Sequence, residues 1–142
     1  MSITFVETKL DLLAARKAQD MVNQTVIGNT DAEKIKKAGS VEILVTKALG
    51  VLQENGVYAG MLYLFAVNKD KDIATVIRQC LFAMLQSNNT QLPVPTNGTS
   101  IQDALNFMTE NVCKDLDTLF LVKQVWEQTL IYARYGAKAR GE

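Results

Sequence analysis

The last quarter of the chain constrains the fold more than any other segment. Between Lys114 and Arg140 no proline occurs, and apolar residues recur at steps of three and four. This spacing places them along one side of an α-helix. These positions are Leu116, Leu119, Val122, Trp126, Leu130, Ala133 and Ala137. The pattern predicts a long amphipathic helix that ends near Gly141 and packs one side against a core.

The same helical period recurs through the first half of the chain. An apolar stripe runs from Leu10 to Val22, and residues 28–30 (Gly-Asn-Thr) break the helix that it predicts. We expect Asp31 to cap a second helix that bends near Ser40. Gly56 follows an asparagine, which is typical of a helix stop in the αL conformation.

Residues 56–67 form a nearly all-apolar segment whose period alone allows a helix or a strand. Its alanine, methionine and leucines, together with the helical pattern on both sides, favour a helix. Asp70 is placed to cap the next helix. That helix has apolar residues at four-residue steps, namely Ile73, Ile77, Leu81 and Leu85.

One segment interrupts the helical pattern clearly. Residues 87–99 contain two prolines, an Asn-Gly pair and clustered polar residues, which predicts an irregular internal loop. Ser100 with Asp103 resembles a capping box that starts another helix. The 142 residues fit one domain. The sequence therefore predicts an all-α fold, a compact bundle of six or seven helices in a single domain (1–142).

Charge and composition exclude several classes of function. Lysine plus arginine equals aspartate plus glutamate, so any anion-binding surface must arise from local segregation of charge. The chain has no histidine, which excludes His-containing triads and HExxH metal sites. Two acidic pairs, 70/72 and 115/117, fall at predicted helix starts, where the helix dipole favours carboxylates without any metal. We expect no catalytic residue, metal site or cofactor.

Cysteine usage and hydropathy indicate a cytoplasmic protein. Cys80 and Cys113 both lie in apolar helical patterns, so we expect two buried, reduced thiols, although sequence alone leaves a disulfide open. The N-terminus lacks a basic region followed by an apolar one, so we expect no secretory signal. The longest apolar run, residues 56–67, is too short to span a bilayer.

Basic residues cluster on the first and the last predicted helix. Arg16 and Lys17 lie in the first, and Arg16 has an ion-pair partner in reach at Asp20. From Phe120 onward four basic residues stand against two acidic ones, a local charge of 4 − 2 = +2. The basic ones are Lys123, Arg134, Lys138 and Arg140. This excess is compatible with phosphate contacts, and a helix C-terminus favours cations whatever they bind.

Three segments together resemble a known family. They read AARKAQDMVNQTV (14–26), LGVLQENGVYAGMLYLFA (49–66) and LFLVKQVWEQTLIYARYGAKA (119–139). The first carries an arginine followed by apolar residues, the second a helix stop at Asn-Gly, and the third a mid-helix aromatic residue and a basic residue before a small-residue end. In this order and at this length, the chain resembles the small subunit of the type III-B CRISPR (Cmr) RNA-targeting effector complex.

The resemblance implies a function and a set of partners. Members are compact, all-helical and non-catalytic. They stack along the backbone subunits of the complex, where copies of the small subunit can stack on one another, and help hold the guide RNA and the target single-stranded RNA in antiviral defence. Arg16 matches the family's first-helix arginine, and Lys123, Arg134 and Lys138 match basic positions of its last helix. With the adjoining Lys17 and Arg140, they form the expected RNA-binding set.

Other interpretations of the same residues stay open. The small subunit of the type III-A complex is a close variant. A helical protein–protein interaction module without RNA binding is the alternative from a different class. A metal enzyme using carboxylates alone would need clustered acids, whereas the acidic pairs stand at helix starts.

Overall fold

The computed structural model describes residues 3–85 and 100–141, with side chains from Leu10 onward. It confirms the all-α prediction, and the described residues contain no strand. In chain order the helices are α1 (Ile3–Thr25), α2 (Asp31–Asn55), α3 (Val57–Ala66), α4 (Lys71–Leu85), α5 (Ile101–Phe107) and α6 (Leu116–Arg140). A π-helical segment, Met108–Val112, follows α5 directly. The predicted loop 87–99 lies outside the described residues.

Side-chain caps fix where three helices begin. The Ser100 hydroxyl accepts from the Asp103 backbone N–H at 3.1 Å, which confirms the predicted cap of α5. Asp115 caps α6 in the same way, accepting from the Thr118 N–H at 3.1 Å. The predicted cap of α2 is wrong by one residue. Thr30 accepts from the Glu33 N–H, so Asp31 is instead the first helical residue, where the dipole favours its charge.

Helix α2 is one continuous helix that differs from the prediction at its end. It runs through Ser40 without a break in helical structure. It stops before Gly56, as predicted, but Gly56 has φ 96° and ψ 179°. This is an extended mirror-image conformation that is essentially restricted to glycine, rather than αL. The sharp turn lets α3 begin at Val57 and fold back on α2.

Helix α6 is the centre of the bundle, packed against α1 on one side and α2 on the other. Asp11 lies beside Tyr132, and Asn23 beside Arg140, so α1 and α6 run in the same direction. Leu52 near the end of α2 lies close to Trp126, so α2 runs the opposite way. Within the described ranges, no helix has the length and apolar content needed to cross a bilayer.

The aromatic core joins α4, α5 and α6. Trp126 is 1% exposed and its indole N–H donates to the Leu81 carbonyl at 3.0 Å. The Phe82 ring meets Trp126 edge-on at 6.1 Å between centroids, and it meets Phe107 edge-on at 5.7 Å. Edge-to-face aromatic pairs add specific geometry to the burial of apolar area. This cluster holds α6 against the rest of the bundle.

Two residues assigned to the interior lie at the surface. Leu116 was expected in the apolar stripe of the last helix but is 61% exposed. Cys113 is exposed, which contradicts the expectation of two buried thiols, whereas Cys80 is buried as predicted. Both cysteines are free. The two exposed side chains lie close together in sequence, at the start of α6.

Candidate nucleic-acid interface

Three of the predicted RNA-binding residues share one outward side of α6. At 3.6 residues per turn, Lys123, Arg134 and Lys138 fall within about 60° of one another around the helix axis. The buried residues lie around the remaining inward side: Val122, Val125, Trp126, Thr129, Leu130, Ala133 and Ala137. We call the outward side the α6 stripe. It contains Leu116, Phe120, Lys123, Glu127, Arg134 and Lys138.

The charges of the α6 stripe are unevenly compensated. The Lys123 ammonium lies 3.9 Å from the Glu127 carboxylate one turn away, so this pair is nearly neutral. Among the described residues, neither Arg134 nor Lys138 takes part in an ion pair. The uncompensated positive charge therefore lies in the last two turns of α6.

An exposed aromatic ring stands beside these free cations. The Arg134 guanidinium carbon lies 5.7 Å from the centroid of the Tyr135 ring, within the range of a cation–π contact. Tyr135 is 60% exposed, so its ring is available to solvent. Tyr132, one turn back, is occupied instead, since its hydroxyl donates to the Asp11 carboxylate. That hydrogen bond raises the pKa of Tyr132. Of the two tyrosines, Tyr135 is the more exposed and is the better candidate for stacking.

Arg140 leaves the α6 stripe and ties the end of α6 to α1. Its guanidinium donates to the Asn23 side-chain oxygen at 2.5 Å. Arg16 precedes Asn23 by seven residues, so both side chains project from nearly the same side of α1. Arg16 is exposed and lies about 10 Å along the axis from Asn23, given the rise of 1.5 Å per residue. Arg16 and Arg140 therefore lie along the same edge between α1 and α6, which we call the α1–α6 edge.

Lys17 belongs to neither the α6 stripe nor the α1–α6 edge. Its ammonium lies 3.9 Å from the Asp20 carboxylate, so Asp20 pairs with Lys17 and the expected Arg16–Asp20 pair is wrong. Burial raises the pKa of the Cys80 thiol on α4 to about 11. The Lys17 ammonium lies near enough to oppose this shift by lowering the pKa. Lys17 thus stands on the side of α1 that meets α4.

Sequence reasoning missed the apolar start of the α6 stripe. Leu116 and Phe120 are 61% and 59% exposed and share the angular position of Lys123 within about 60°. The helical spacing indicates this side, since Leu116, Phe120 and Lys123 follow one another at steps of four and three residues. The α6 stripe is therefore apolar at the start of α6 and basic at its end.

The described residues offer no alternative metal chemistry. Nowhere in the described ranges do three cysteine or carboxylate side chains converge in a way that could hold a metal ion. Asp115 and Asp72 act locally instead. Hydrogen bonds from Thr118 lower the pKa of Asp115, and the Lys37 ammonium lowers the pKa of Asp72.

Comparison with known proteins gives no relative: the chain matches no protein-family model, no curated protein and no solved structure.

Proposed function

We propose that the chain is a non-catalytic, RNA-binding small subunit of a type III-B CRISPR effector complex in the cytoplasm. Its partners would be the other Cmr subunits, the guide RNA and the target RNA. The observation that carries the RNA-binding part is the pair of uncompensated cations, Arg134 and Lys138, beside the exposed Tyr135 ring. The assignment to the complex rests on the resemblance of the three sequence segments.

The chemistry of this end of α6 suits the RNA backbone better than particular bases. Free lysine and arginine side chains neutralise phosphates and release counterions, which gives affinity without sequence preference. An exposed aromatic ring can stack on any base. Because Lys123 already has a carboxylate partner, its contribution should be smaller than that of Arg134 or Lys138. We therefore expect weak, salt-sensitive binding of single-stranded RNA by the isolated protein.

The test is fluorescence anisotropy with a labelled single-stranded oligouridine at low salt. Charge reversal in Arg16→Glu/Arg134→Glu/Lys138→Glu should lower the affinity at least about tenfold, since three phosphate contacts are replaced by repulsion. The slope of log K against log salt should be about −2 for the wild type, given about 0.7 per phosphate contact on a single strand. It should fall toward zero in the variant.

A matched control separates this face from a general charge effect. Lys34→Glu/Lys36→Glu/Lys71→Glu makes the same change in net charge at exposed lysines that, within the described residues, take part in no ion pair. It should lose no more than about twofold. Equal RNA affinity of the wild type and the Arg16/Arg134/Lys138 variant would show that the assigned residues are the wrong ones.

A protein-only interaction module remains the second candidate, because Leu116 and Phe120 expose apolar surface at the other end of the stripe. Exposed apolar side chains that cluster are typical of protein contacts. Purification from the native cells distinguishes the two. Co-purifying guide RNA and backbone subunits support the first proposal, whereas a stable protein partner without RNA supports the second.

A further inference from the structure

An open groove lies where α2 meets the end of α3 and the residues that follow it. It has a volume of about 520 Å³ and is lined by ten residues of α2, the end of α3 and the α3–α4 turn. We call it the α2–α3 groove. None of the six predicted RNA-binding residues lines it. It is therefore separate from the α6 stripe and from the α1–α6 edge.

The groove is lined by both aliphatic and basic side chains. Ile43 is 58% exposed although it is a large aliphatic residue, and the half-buried Val67, directly after α3, lines the same groove. Lys47 and Lys69 line the same groove, are exposed, and take part in no ion pair within the described residues. Asp70 is the single carboxylate among the lining residues, so the lining carries a net positive charge of 2 − 1 = +1.

We propose that the α2–α3 groove binds a short acidic, leucine-rich segment of another protein. Aliphatic side chains of such a segment would cover Ile43 and Val67, and its carboxylates would pair with Lys47 and Lys69. This combination is the pattern of helix-in-groove recognition, in which apolar anchors give affinity and charges set partner choice.

The shape and lining of the groove argue against the other occupants. RNA presents phosphates, sugars and flat aromatic bases, none of which offers an aliphatic group to interdigitate with the exposed Ile43 side chain. A folded protein surface, including a second copy of this chain, uses roughly 20–30 residues on each side of a standard interface. Ten lining residues match a short segment instead. This inference does not depend on the proposed RNA binding, because the two surfaces share no residue.

The experiment uses a fluorescein-labelled peptide of about 14 residues, built from leucine and glutamate in helical register and long enough for three to four turns. A second peptide carries lysine in place of every glutamate. Each is titrated with the full chain, and anisotropy is recorded. The acidic peptide should bind the wild type and the basic peptide should not.

Two pairs of variants localise the binding. Lys47→Glu/Lys69→Glu should weaken it at least about tenfold, and the control Lys34→Glu/Lys36→Glu, which makes the same charge change outside the groove, less than about twofold. Ile43→Ser should weaken it severalfold, whereas Ile35→Ser, at another exposed isoleucine of α2, should not. All six substituted positions are exposed, and circular dichroism checks that each variant folds.

Four results would overturn the inference. The acidic peptide could fail to bind, or bind the groove variant as tightly as the control. Light scattering could show copies that associate through the groove, with association lost in Lys47→Glu/Lys69→Glu, which would make a second copy the occupant. The same variant could lose RNA affinity while its peptide affinity stays unchanged, which would assign the groove to RNA. None of these results bears on the Arg134 and Lys138 test.

Discussion

Trp126 of α6 donates its indole N–H to the backbone carbonyl of Leu81 on α4, 45 residues earlier in the chain, at 3.0 Å. Both residues are nearly inaccessible to solvent, at 1% and 2% exposure. A hydrogen bond in such a place contributes little net energy, but its loss leaves a buried acceptor without this donor. It therefore fixes the position of the helix that carries the proposed RNA-binding residues.

Trp126→Phe should lower the free energy of unfolding by about 2–4 kcal/mol, from the lost donor and the space left by the smaller ring. Urea denaturation followed by circular dichroism at 222 nm, the usual helix wavelength, measures it. Thr25→Val is the control at another buried threonine. Its hydroxyl donates within its own helix, to the Met21 carbonyl at 2.7 Å, so its loss should cost about 1 kcal/mol or less. Equal losses would contradict the role of the inter-helix bond.

Two helical glycines should respond in opposite directions to alanine. A Cβ at Gly50 of α2 would meet nothing within 4 Å, so Gly50→Ala should raise the free energy of unfolding by about 0.5–1 kcal/mol. A Cβ at Gly60 of α3 would lie 3.3 Å from the Leu52 Cβ and 3.5 Å from its Cα. The added methyl group would crowd this buried contact, and the cost should exceed the gain in helix propensity. Gly60→Ala should therefore lower the free energy of unfolding by about 1 kcal/mol. The prediction is wrong if both variants gain stability in urea titrations.

The two thiols should differ in reactivity in the folded protein. Cys113 is exposed, so although partial desolvation raises its pKa it should react with a disulfide reagent such as DTNB much faster than Cys80. Cys80 is 6% exposed and burial raises its pKa to about 11, so it should react only on unfolding. The assay should give one thiol per chain in buffer and two in guanidinium. Cys113→Ser should remove the fast phase, and a fast phase that survives would mean that Cys80 is accessible.

The buried Cys80 thiol also predicts a pH dependence of stability. Its pKa is raised from the ordinary value of 9.0 to about 11, so the folded state keeps the proton where the unfolded state loses it. The stabilisation is complete below about pH 9 and is lost as the pH rises from about 9 toward 11.

Comparison with Cys80→Ala isolates this effect, since tyrosines and lysines titrate alike in both proteins. The stability advantage of the wild type over the variant should shrink by about 2 kcal/mol between pH 8.5 and pH 11, at about 1.4 kcal/mol per unit. Denaturation midpoints across this range provide the measurement. A difference that stays constant with pH would show that the thiol ionises equally in both states.

The helices and most of the core could be predicted from the sequence because both depend on the three- and four-residue spacing. The same spacing explains the failure at Leu116. Two successive steps of three, from Leu116 to Leu119 and then to Val122, each turn the helix by about 60° in the same sense. Leu116 therefore lies about 120° from Val122 and points to solvent. Counting steps without summing their angles hides this rotation.

Part of the candidate site was predictable in the same way, and part was not. The shared side of Lys123, Arg134 and Lys138 follows from helical phase alone. The Arg140 bond to Asn23 and the Lys17 pair with Asp20 do not, because they depend on how α1 lies against α6 and on side-chain rotamers. Helical phase within one segment carries no information about the distance between helices.

Helix α2 packs against α6 and also lines the α2–α3 groove, and it does so as one continuous helix of 25 residues. The α6 stripe lies on the outward side of α6 and shares no residue with the groove. The two proposed ligands would therefore contact different surfaces of the same bundle. If both proposals hold, the chain would connect a nucleic acid to a protein segment through directly packed helices.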